Sequence, residues 1–288
     1  MKRVKPPLGG YAKRKPLTYD SHTKKYIRPN FHYTFKNKIS MVKARINYND
    51  YFYKHKIFGR ECLFANLPKF PSYIHSRVTR INEKAPETMK WLGTMQADDV
   101  LFDIGANIGL YTVAGWARGL EANFADHERF KGNLIYAFEP HFANYFCLNQ
   151  NIEVNNMQGV FSYCMALGNK NSMHSINLSD PYAGAARNNI DFSTGAFDQG
   201  VIEMRMDDVI RIQNIPQPTH LKIDVDGYEN NVWEGGKQTL YNAKSILFEI
   251  HDNQKHIVND LLQNGFELKE QHKRRNSDEH NYIFVKNG

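Results

Sequence analysis

The sequence predicts an α/β protein whose central sheet is mostly parallel and ends in a C-terminal antiparallel hairpin. Short apolar runs alternate with helical segments from residue 81 onward, and this alternation is typical of a parallel sheet with helices on both faces. The first run continues directly into a glycine-containing turn, in the stretch VLFDIGANIGLYT at residues 100–112. The last two runs, 266–272 and 282–285, are separated by a short polar loop, as in a hairpin.

The elements of this domain can be assigned in order. A helix is expected after Pro86, and the turn at residues 96–99 leads into the first strand. Residues 119–132 predict a surface insertion, and residues 168–200, rich in Gly, Asn, Ser and Asp, predict a long irregular segment. The remaining predicted elements are strands at 134–138, 160–167, 201–206, 220–225 and 245–250, and helices at 110–116, 141–155, 228–243 and 253–264, with a short helix from Asp207.

Composition divides the chain into a basic, aromatic-rich N-terminal extension, residues 1–80, and the α/β domain, residues 81–288. Residues 1–60 contain 16 lysines and arginines against two aspartates, whereas the whole chain carries +7, so the rest is net negative. Such an arm suits an anionic partner such as a nucleic acid, a membrane surface or a glycan. It is equally consistent with a solvated arm, or with packing on the domain.

The cysteines and the hydropathy of the sequence indicate the cellular compartment in which the protein is expected. Cys62, Cys147 and Cys164 form no C-x-x-C pair, and so few cysteines favour reduced thiols. No apolar run approaches the roughly 18 residues that a membrane span needs. The basic N-terminus also lacks the apolar segment of a secretory signal. We therefore expect a cytoplasmic protein without a transmembrane segment.

Polar side chains follow several predicted strands at the point where each strand ends. The residues are Asp103, Glu139, Asp224 with Asp226, and Glu249 with His251. Any one of them is commonly a helix cap. Because ligands of open α/β sheets bind outside the carboxyl ends of the strands, the set as a whole predicts a site there.

The residues of the glycine turn restrict the class of ligand that the site can bind. Its pattern runs from Asp103 through Gly105 and Asn107 to Gly109, so it lacks the G-x-G-x-x-G of dinucleotide sites and the lysine of phosphate loops. The pattern favours a ligand with a cationic amino-acid end and no phosphates, such as S-adenosylmethionine. Glu139 is placed to accept hydrogen bonds from ribose hydroxyls, and it would repel a phosphorylated ribose.

Four stretches carry a family resemblance, namely 100–112, YAFEPHFANYFCLNQNIEVNN at 136–156, LKIDVDGYENNVWEGG at 221–236, and ILFEIH at 246–251. In these stretches the sequence resembles the FkbM-type methyltransferases, which use S-adenosylmethionine to methylate hydroxyl groups and have the Rossmann-like class I fold. The resemblance covers roughly residues 82–270. Asp226 stands where the family more often has glutamate, and the first 80 residues have no matching pattern.

The resemblance implies roles for individual residues. It places Asp103, Gly105, Ala106, Asn107 and Gly109 around the methionine part of the cofactor. Glu139 holds the ribose, and Met165 and Ala166 flank the adenine.

Two residues at adjacent strand ends are the candidate catalytic pair. Asp224 is the candidate base for a hydroxyl acceptor, and His251 the group that orients it. The alternative for His251 is a cap on the following helix. Asp224 and Glu249 also provide two carboxylates that could bind a Mg²⁺ ion, which is an alternative role for this pair of strand ends.

Acceptor recognition is assigned to the segment 168–200, which follows the third strand and overhangs the same edge of the sheet. Arg187, Asn188, Asn189 and Asp191 offer hydrogen bonds to sugar hydroxyls, and Asp226 is grouped with them. The alternative is an ordinary surface loop.

Three functions follow from these residues. The first is an O-methyltransferase acting on a hydroxyl of a glycan, glycoconjugate or related metabolite. The second is the same enzyme directed to RNA by the basic arm. The third is a non-catalytic binding protein on the same fold, against which the intact Asp103, Glu139 and Asp224 speak.

Overall fold

The computed structural model describes residues 18–20, 25–27, 52–65, 73–121, 134–178, 183–184, 189–190, 197–274 and 277–287. The chain separates into two compact units, Met1–Ile46 and Asn47–Gly288. In the first unit, strand β1 (Thr18–Asp20) pairs antiparallel with β2 (Lys25–Ile27). Within the described ranges, no helix combines the length and the apolar character that crossing a bilayer requires.

The second unit contains the remaining elements. Its strands are β3 (Phe52–Ile57), β4 (Arg60–Ala65), β5 (Val100–Ile104), β6 (Leu134–Phe138), β7 (Val160–Tyr163), β8 (Ala166–Gly168), β9 (Ser172–Leu178), β10 (Asn189–Ile190), β11 (Phe197–Arg205), β12 (His220–Ile223), β13 (Ser245–His251), β14 (Phe266–Lys273) and β15 (Glu279–Lys286). Its helices are α1 (Tyr73–Thr79), α2 (Ile81–Lys84), α3 (Pro86–Leu92), α4 (Leu110–Glu121), α5 (Phe142–Val154), α6 (Met206–Gln213), α7 (Glu229–Gly235), α8 (Lys237–Tyr241) and α9 (Lys255–Gln263), with a 3-10 turn at Asp252–Gln254.

Seven strands form the central sheet, in the order β14-β15-β13-β12-β5-β6-β7. The strands from β13 to β7 run parallel, whereas β15 runs antiparallel to both β13 and β14. This arrangement confirms the predicted mostly parallel sheet with a C-terminal antiparallel hairpin. The chain leaves β5 toward β6 on one side and returns to β12 on the other, so the strand order reverses between β5 and β12. Ligands of open α/β sheets bind at such a reversal.

The inner strands are buried on both faces of the sheet, as expected for strands that helices cover on both sides. Every residue of β5 and of β12 is buried. Since successive side chains of a strand point to opposite faces, Leu101 packs in one core cluster with Leu92 and Val113. Phe102 packs in the other cluster with Val232. Each such buried side chain contributes about 1.5–3 kcal/mol to folding.

A second sheet has the strand order β10-β9-β11-β8, in which β11 pairs antiparallel with β9 and parallel with β8. The single strand expected at 160–167 is therefore two strands in two sheets, with Cys164 and Met165 between them. The segment expected to be irregular, 168–200, contains β9 and β10. Its polar residues are weak strand formers, and its pairing with β11 depends on tertiary context that a local pattern does not carry.

The hairpin β3–β4 belongs to the second unit and is attached to α5. Asn151 Oδ1 accepts a hydrogen bond from the Ala65 amide at 2.7 Å, and Asn155 Oδ1 accepts one from the Leu63 amide at 2.8 Å. Asn151 Nδ2 also donates to the Ile108 carbonyl in the glycine turn at 2.7 Å. One side chain thus links the hairpin to the turn after β5. The division at residue 80 stays a proposal based on composition.

Candidate functional site

A cavity lies at the carboxyl ends of β5, β6 and β12, where the strand order reverses. Its empty volume, open mouth included, is about 1240 Å³. The lining comes from the loops after these strands, from the second sheet, and from α1 and α2. Its polar side chains are Arg77, Lys84, Asn107, Tyr111, Glu139, His141, Asn144, Lys222, Asp224, Asp226, Tyr228 and Arg274.

The glycine turn packs against neighbouring backbone so closely that side chains are excluded. Gly105 has a φ of 77°, and a Cβ there would lie 1.9 Å from the Asp224 carbonyl oxygen. Gly109 has a φ of 80°, and its Cβ would lie 2.4 Å from Leu148 Cδ1. Both positions therefore require glycine. Gly105, Ala106 and Asn107 line the cavity, whereas Gly109 supports the turn from behind.

Glu139, directly after β6, is held by the same turn. Its carboxylate accepts hydrogen bonds from the Asn107 amide at 2.7 Å and from the His141 amide at 2.9 Å. The residue is 5% exposed. Burial raises the pKa of its carboxyl to about 7, although the two amides act in the opposite direction. A carboxylate retains acceptor sites beyond these two bonds, so Glu139 can also accept from hydroxyls of a ribose.

Apolar side chains complete the cavity. Phe138, Met165, Leu167 and Ile176 line it, together with Ala166 at the start of β8. A carboxylate that accepts hydrogen bonds from the ribose, beside an apolar wall for the adenine, is the combination that suits an adenosine. The residues present therefore fit S-adenosylmethionine, while the individual roles of Met165 and Ala166 toward adenine stay predictions.

Asp103 lies behind the turn and is not among the cavity-lining residues. It is fully buried, its Oδ2 accepts a hydrogen bond from the Thr112 hydroxyl at 2.6 Å, and its Oδ1 lies 3.4 Å from Lys222 Nζ. Asp103 thus ties the first turn of α4 to β12. Its predicted contact with the methionine part of the cofactor stays a prediction.

Asp224 faces the cavity and is held by two cations. Its Oδ2 lies 3.5 Å from Lys222 Nζ and 3.6 Å from Arg274 Nη2. Burial alone would raise the pKa of Asp224, but the charges of Lys222, Arg274 and Arg77 outweigh it and hold that pKa below its usual value. The pKa of Lys222 lies above its usual value, because Asp224 and Asp103 outweigh its burial. Asp224 is therefore ionised at neutral pH.

Glu229, at the start of α7, shapes the loop that presents Asp224. Its buried carboxylate accepts hydrogen bonds from the Gly227 amide at 3.0 Å, the Val225 amide at 3.3 Å and Gln254 Nε2 at 3.3 Å. Burial raises the pKa of Glu229. In the sequence, Glu229 appears only within the stretch 221–236. Its position five residues after Asp224 is the local feature that could have indicated its role in holding the loop.

The structure does not bring His251 into the cavity lining. Its side chain caps the 3-10 turn that follows β13, and its backbone amide donates to Gln254 Oε1 at 3.1 Å. Its Nδ1 lies 3.6 Å from Asp278 Oδ1. This geometry matches the capping alternative, and a catalytic role for His251 stays an untested prediction.

The hypothesis that Asp224 and Glu249 bind Mg²⁺ is not supported. Arg274 already bridges them, with Nη1 2.7 Å from Glu249 Oε2. Burial, together with the charge of Asp224, raises the pKa of Glu249 above its usual range. Among the residues that the structure describes, no group of three or more His, Cys, Asp or Glu could hold a metal ion. A guanidinium therefore takes the position that the hypothesis gave to the metal.

The predicted acceptor segment is only partly described. Arg187, Asn188 and Asp191 lie outside the described residues, and Asn189 is the first residue of β10. Asp226 does line the cavity, with a φ of 52°. Their roles toward an acceptor stay predictions.

Two cationic residues line the cavity without having been assigned to it by sequence analysis. They are Arg77 of α1 and Lys84 of α2. Neither belongs to a motif, and their place in the site depends on how α1 and α2 pack against the sheet. No local sequence signal could have identified them.

Comparison with known proteins gives one family match. The methyltransferase FkbM domain matches residues 103–275, more than half of the chain. No curated protein sequence matches significantly.

Several solved methyltransferase structures are similar at low identity. The precorrin-6y C5,15-methyltransferase of Geobacter metallireducens GS-15 has 12% identity and a TM-score of 0.42, covering 78% of this chain and 94% of that one. An rRNA methylase of Streptococcus thermophilus has 10% identity and a TM-score of 0.44, covering 72% and 98%. TYW2 of M. jannaschii, in complex with AdoMet, has 14% identity and a TM-score of 0.41, covering 82% and 86%.

The family match includes the whole glycine turn, Glu139 and the loop that holds Asp224. Together with the fit of the cavity to adenosine, it supports S-adenosylmethionine as the methyl donor. This chain belongs to the FkbM family of methyltransferases.

Proposed function

We propose that the protein is an O-methyltransferase that uses S-adenosylmethionine to methylate a hydroxyl of a glycan, glycoconjugate or related metabolite. The observation that carries this proposal is the position of the Asp224 carboxylate, between Lys222 and Arg274, in the cavity that Gly105, Asn107 and Glu139 line. When bound, S-adenosylmethionine supplies a methyl group that its sulfonium charge has already activated. The protein must then align the acceptor oxygen and remove its proton.

Asp224 is suited to orient a hydroxyl and to receive its proton. Lys222 and Arg274 keep its carboxylate ionised and fixed, so it accepts a hydrogen bond from the acceptor hydroxyl. A carboxylate of low pKa is a weak base, and we therefore expect proton transfer to accompany methyl transfer rather than precede it. Glu229 keeps the loop in place through the Val225 and Gly227 amides.

The test separates cofactor binding from turnover. Asp224→Asn should leave the affinity for S-adenosylhomocysteine within about twofold and lower turnover by about 10²–10⁴-fold. Glu139→Ala should instead abolish S-adenosylhomocysteine binding in calorimetry. Glu61→Gln, an exposed substitution on β4, is the control for a lost carboxylate. Methyl transfer is assayed with radiolabelled S-adenosylmethionine against a panel of hydroxyl-bearing saccharides. Full turnover by Asp224→Asn would refute the assignment.

A second candidate is RNA-directed methyl transfer, which the charge asymmetry of the chain favours. The 16 lysines and arginines of residues 1–60 face only two aspartates, and such a segment binds phosphate backbones with strong salt dependence. RNA binding that weakens steeply from 50 to 200 mM salt and is lost on deleting residues 1–46 would support it. Absence of RNA binding at low salt would remove it.

A further inference from the structure

Helices α1 and α2 bring two cations to the cavity. Arg77 and Lys84 line it on either side of Ile81 in the sequence. Arg77 Nε donates a hydrogen bond to the Gly184 carbonyl at 2.7 Å, which orients the guanidinium. Arg77 is therefore a half-buried, oriented part of the cavity wall, and Lys84 lines the cavity as an exposed residue.

These two cations differ from their neighbours in lacking a carboxylate partner. Lys222 pairs with Asp103 and Asp224, and Arg274 pairs with three acids, of which Glu249 is nearest. In the described part of the chain, neither Arg77 nor Lys84 has a carboxylate oxygen within ion-pair distance, 4.0 Å. Their charge is thus available to a ligand.

The surroundings of Lys84 are themselves cationic. Burial lowers the pKa of its amine, and the charges of Arg77, Arg80 and Arg274 lower it further. Like charges held close together repel one another. An anion bound among them would remove this repulsion, and guanidinium and ammonium groups are the usual protein partners of carboxylates and phosphates.

Arg77 lines the same cavity as the candidate base. Its positive charge is one of three that lower the pKa of Asp224. An anionic group held by Arg77 would therefore bring a nearby hydroxyl of the same molecule within reach of Asp224. Binding and chemistry would then use adjacent parts of one cavity.

We propose that the acceptor carries an anionic group, a carboxylate or a phosphate ester, which Arg77 and Lys84 bind in the cavity. This inference rests on the proposed function and narrows its substrate class to acidic acceptors, such as uronic acids or sugar phosphates. The other source of the same chemistry is the carboxylate of the cofactor itself, and the two sources predict different results.

The first experiment measures anion binding to the complex with S-adenosylhomocysteine. Glucuronate and glucose 6-phosphate are titrated by calorimetry, with glucose as the uncharged control. At least one charged sugar should bind saturably, and Arg77→Gln or Lys84→Gln should weaken it about tenfold or more. Arg80→Gln removes the same charge outside the cavity lining, where Arg80 pairs with Glu83 at 3.0 Å, and should weaken binding much less than the two cavity variants do. Absence of binding by both charged sugars, or equal weakening by Arg80→Gln, overturns the proposal.

The second experiment identifies the source of the anion. S-adenosylhomocysteine is compared with 5′-methylthioadenosine, which lacks the amino-acid part. The affinities of Arg77→Gln and Lys84→Gln for both compounds should equal those of the wild type. If the variants lose affinity for S-adenosylhomocysteine alone, the two cations hold the cofactor carboxylate, and the proposal is overturned. Such a failure leaves the Asp224→Asn prediction intact, whereas full turnover by Asp224→Asn would refute the proposed function without affecting anion binding.

Discussion

Lys222 Nζ lies 3.5 Å from Asp224 Oδ2, although the lysine side chain is only 3% exposed. The same amine lies 3.4 Å from Asp103 Oδ1, and Lys222 is the register partner of Asp103 across the parallel strands β12 and β5. One buried cation therefore joins an acid behind the glycine turn to the acid that faces the cavity. The stability of the sheet centre and the ionisation of Asp224 depend on the same side chain.

Replacing this cation should be strongly destabilising. Lys222→Met leaves the buried Asp103 without its cation and leaves Asp224 with Arg274 but without its lysine partner. We expect the free energy of unfolding to fall by about 3–5 kcal/mol at pH 7. Because the folded pKa of Asp224 is depressed, the stability it contributes is present above its unfolded pKa, about 3.9. That stability is lost as pH falls through the lower folded value. The difference between variant and wild type should accordingly shrink below pH 4.

Urea unfolding from pH 3 to pH 8 measures this effect. Lys54→Met is the control, since the Lys54–Glu61 pair is more than half exposed on both sides and should contribute about 0–1 kcal/mol. An equal decrease in the free energy of unfolding for Lys222→Met and Lys54→Met would contradict the role given to Lys222.

Two glycines offer a matched pair of substitutions, Gly105 in the glycine turn and Gly200 in β11. Gly105→Ala places a methyl group against the Asp224 carbonyl and forces alanine to a φ of 77°. We expect loss of S-adenosylhomocysteine binding and destabilisation by about 1–3 kcal/mol. In Gly200→Ala the added Cβ meets no atom within 4 Å, so this variant should bind S-adenosylhomocysteine as the wild type does. Calorimetry and thermal unfolding of both variants would test this, and normal binding by Gly105→Ala would contradict the geometry of the turn.

Glu139 should make cofactor binding pH-dependent. Burial raises its pKa to about 7 in the free protein. The folded protein therefore binds a proton more tightly than the unfolded chain, and stability decreases as pH rises from the unfolded pKa through 7. Conversely, affinity for S-adenosylhomocysteine should rise about tenfold from pH 6 to pH 8, because the ionised carboxylate accepts both ribose hydroxyls.

Calorimetry in buffers of different ionisation enthalpy would detect the proton released on binding near pH 6.5. In Glu139→Gln, affinity should be lower and independent of pH over this range. A pH profile of the variant parallel to that of the wild type would show that another group titrates.

Asn151 should couple the hairpin β3–β4 to the cofactor site. Asn151→Ala removes the hydrogen bonds to the Ala65 amide and the Ile108 carbonyl, leaving buried backbone groups unpaired at about 1–3 kcal/mol each. Asn155→Ala removes only the hairpin bonds to Leu63 and a bond within α5. Both variants should be less stable, but only Asn151→Ala should also weaken S-adenosylhomocysteine binding. Equal cofactor affinities for the two variants would contradict this coupling.

The order of strands and helices was predictable because buried strands and amphipathic helices leave local hydrophobic patterns. The strand-end positions of Glu139 and Asp224 followed from the same patterns, since parallel strands of one sheet end at a common edge. The strand at 201–206 was predicted, but the sheet that it joins was not, because the pairing of β11 with β9 depends on contacts between separate segments of the chain. The capping position of His251 likewise depends on the turn that follows β13.

The sequence by itself determined the α/β class, the glycine turn and the family, because these depend on short stretches whose residue types and spacing are diagnostic. Only the tertiary structure decided which charges meet. It placed Asp103 behind the turn, joined Asp224 and Glu249 through Arg274, and brought Arg77 and Lys84 to the cavity. Electrostatic interaction depends on distance and burial, and residues far apart in the chain acquire both only when the helices pack on the sheet.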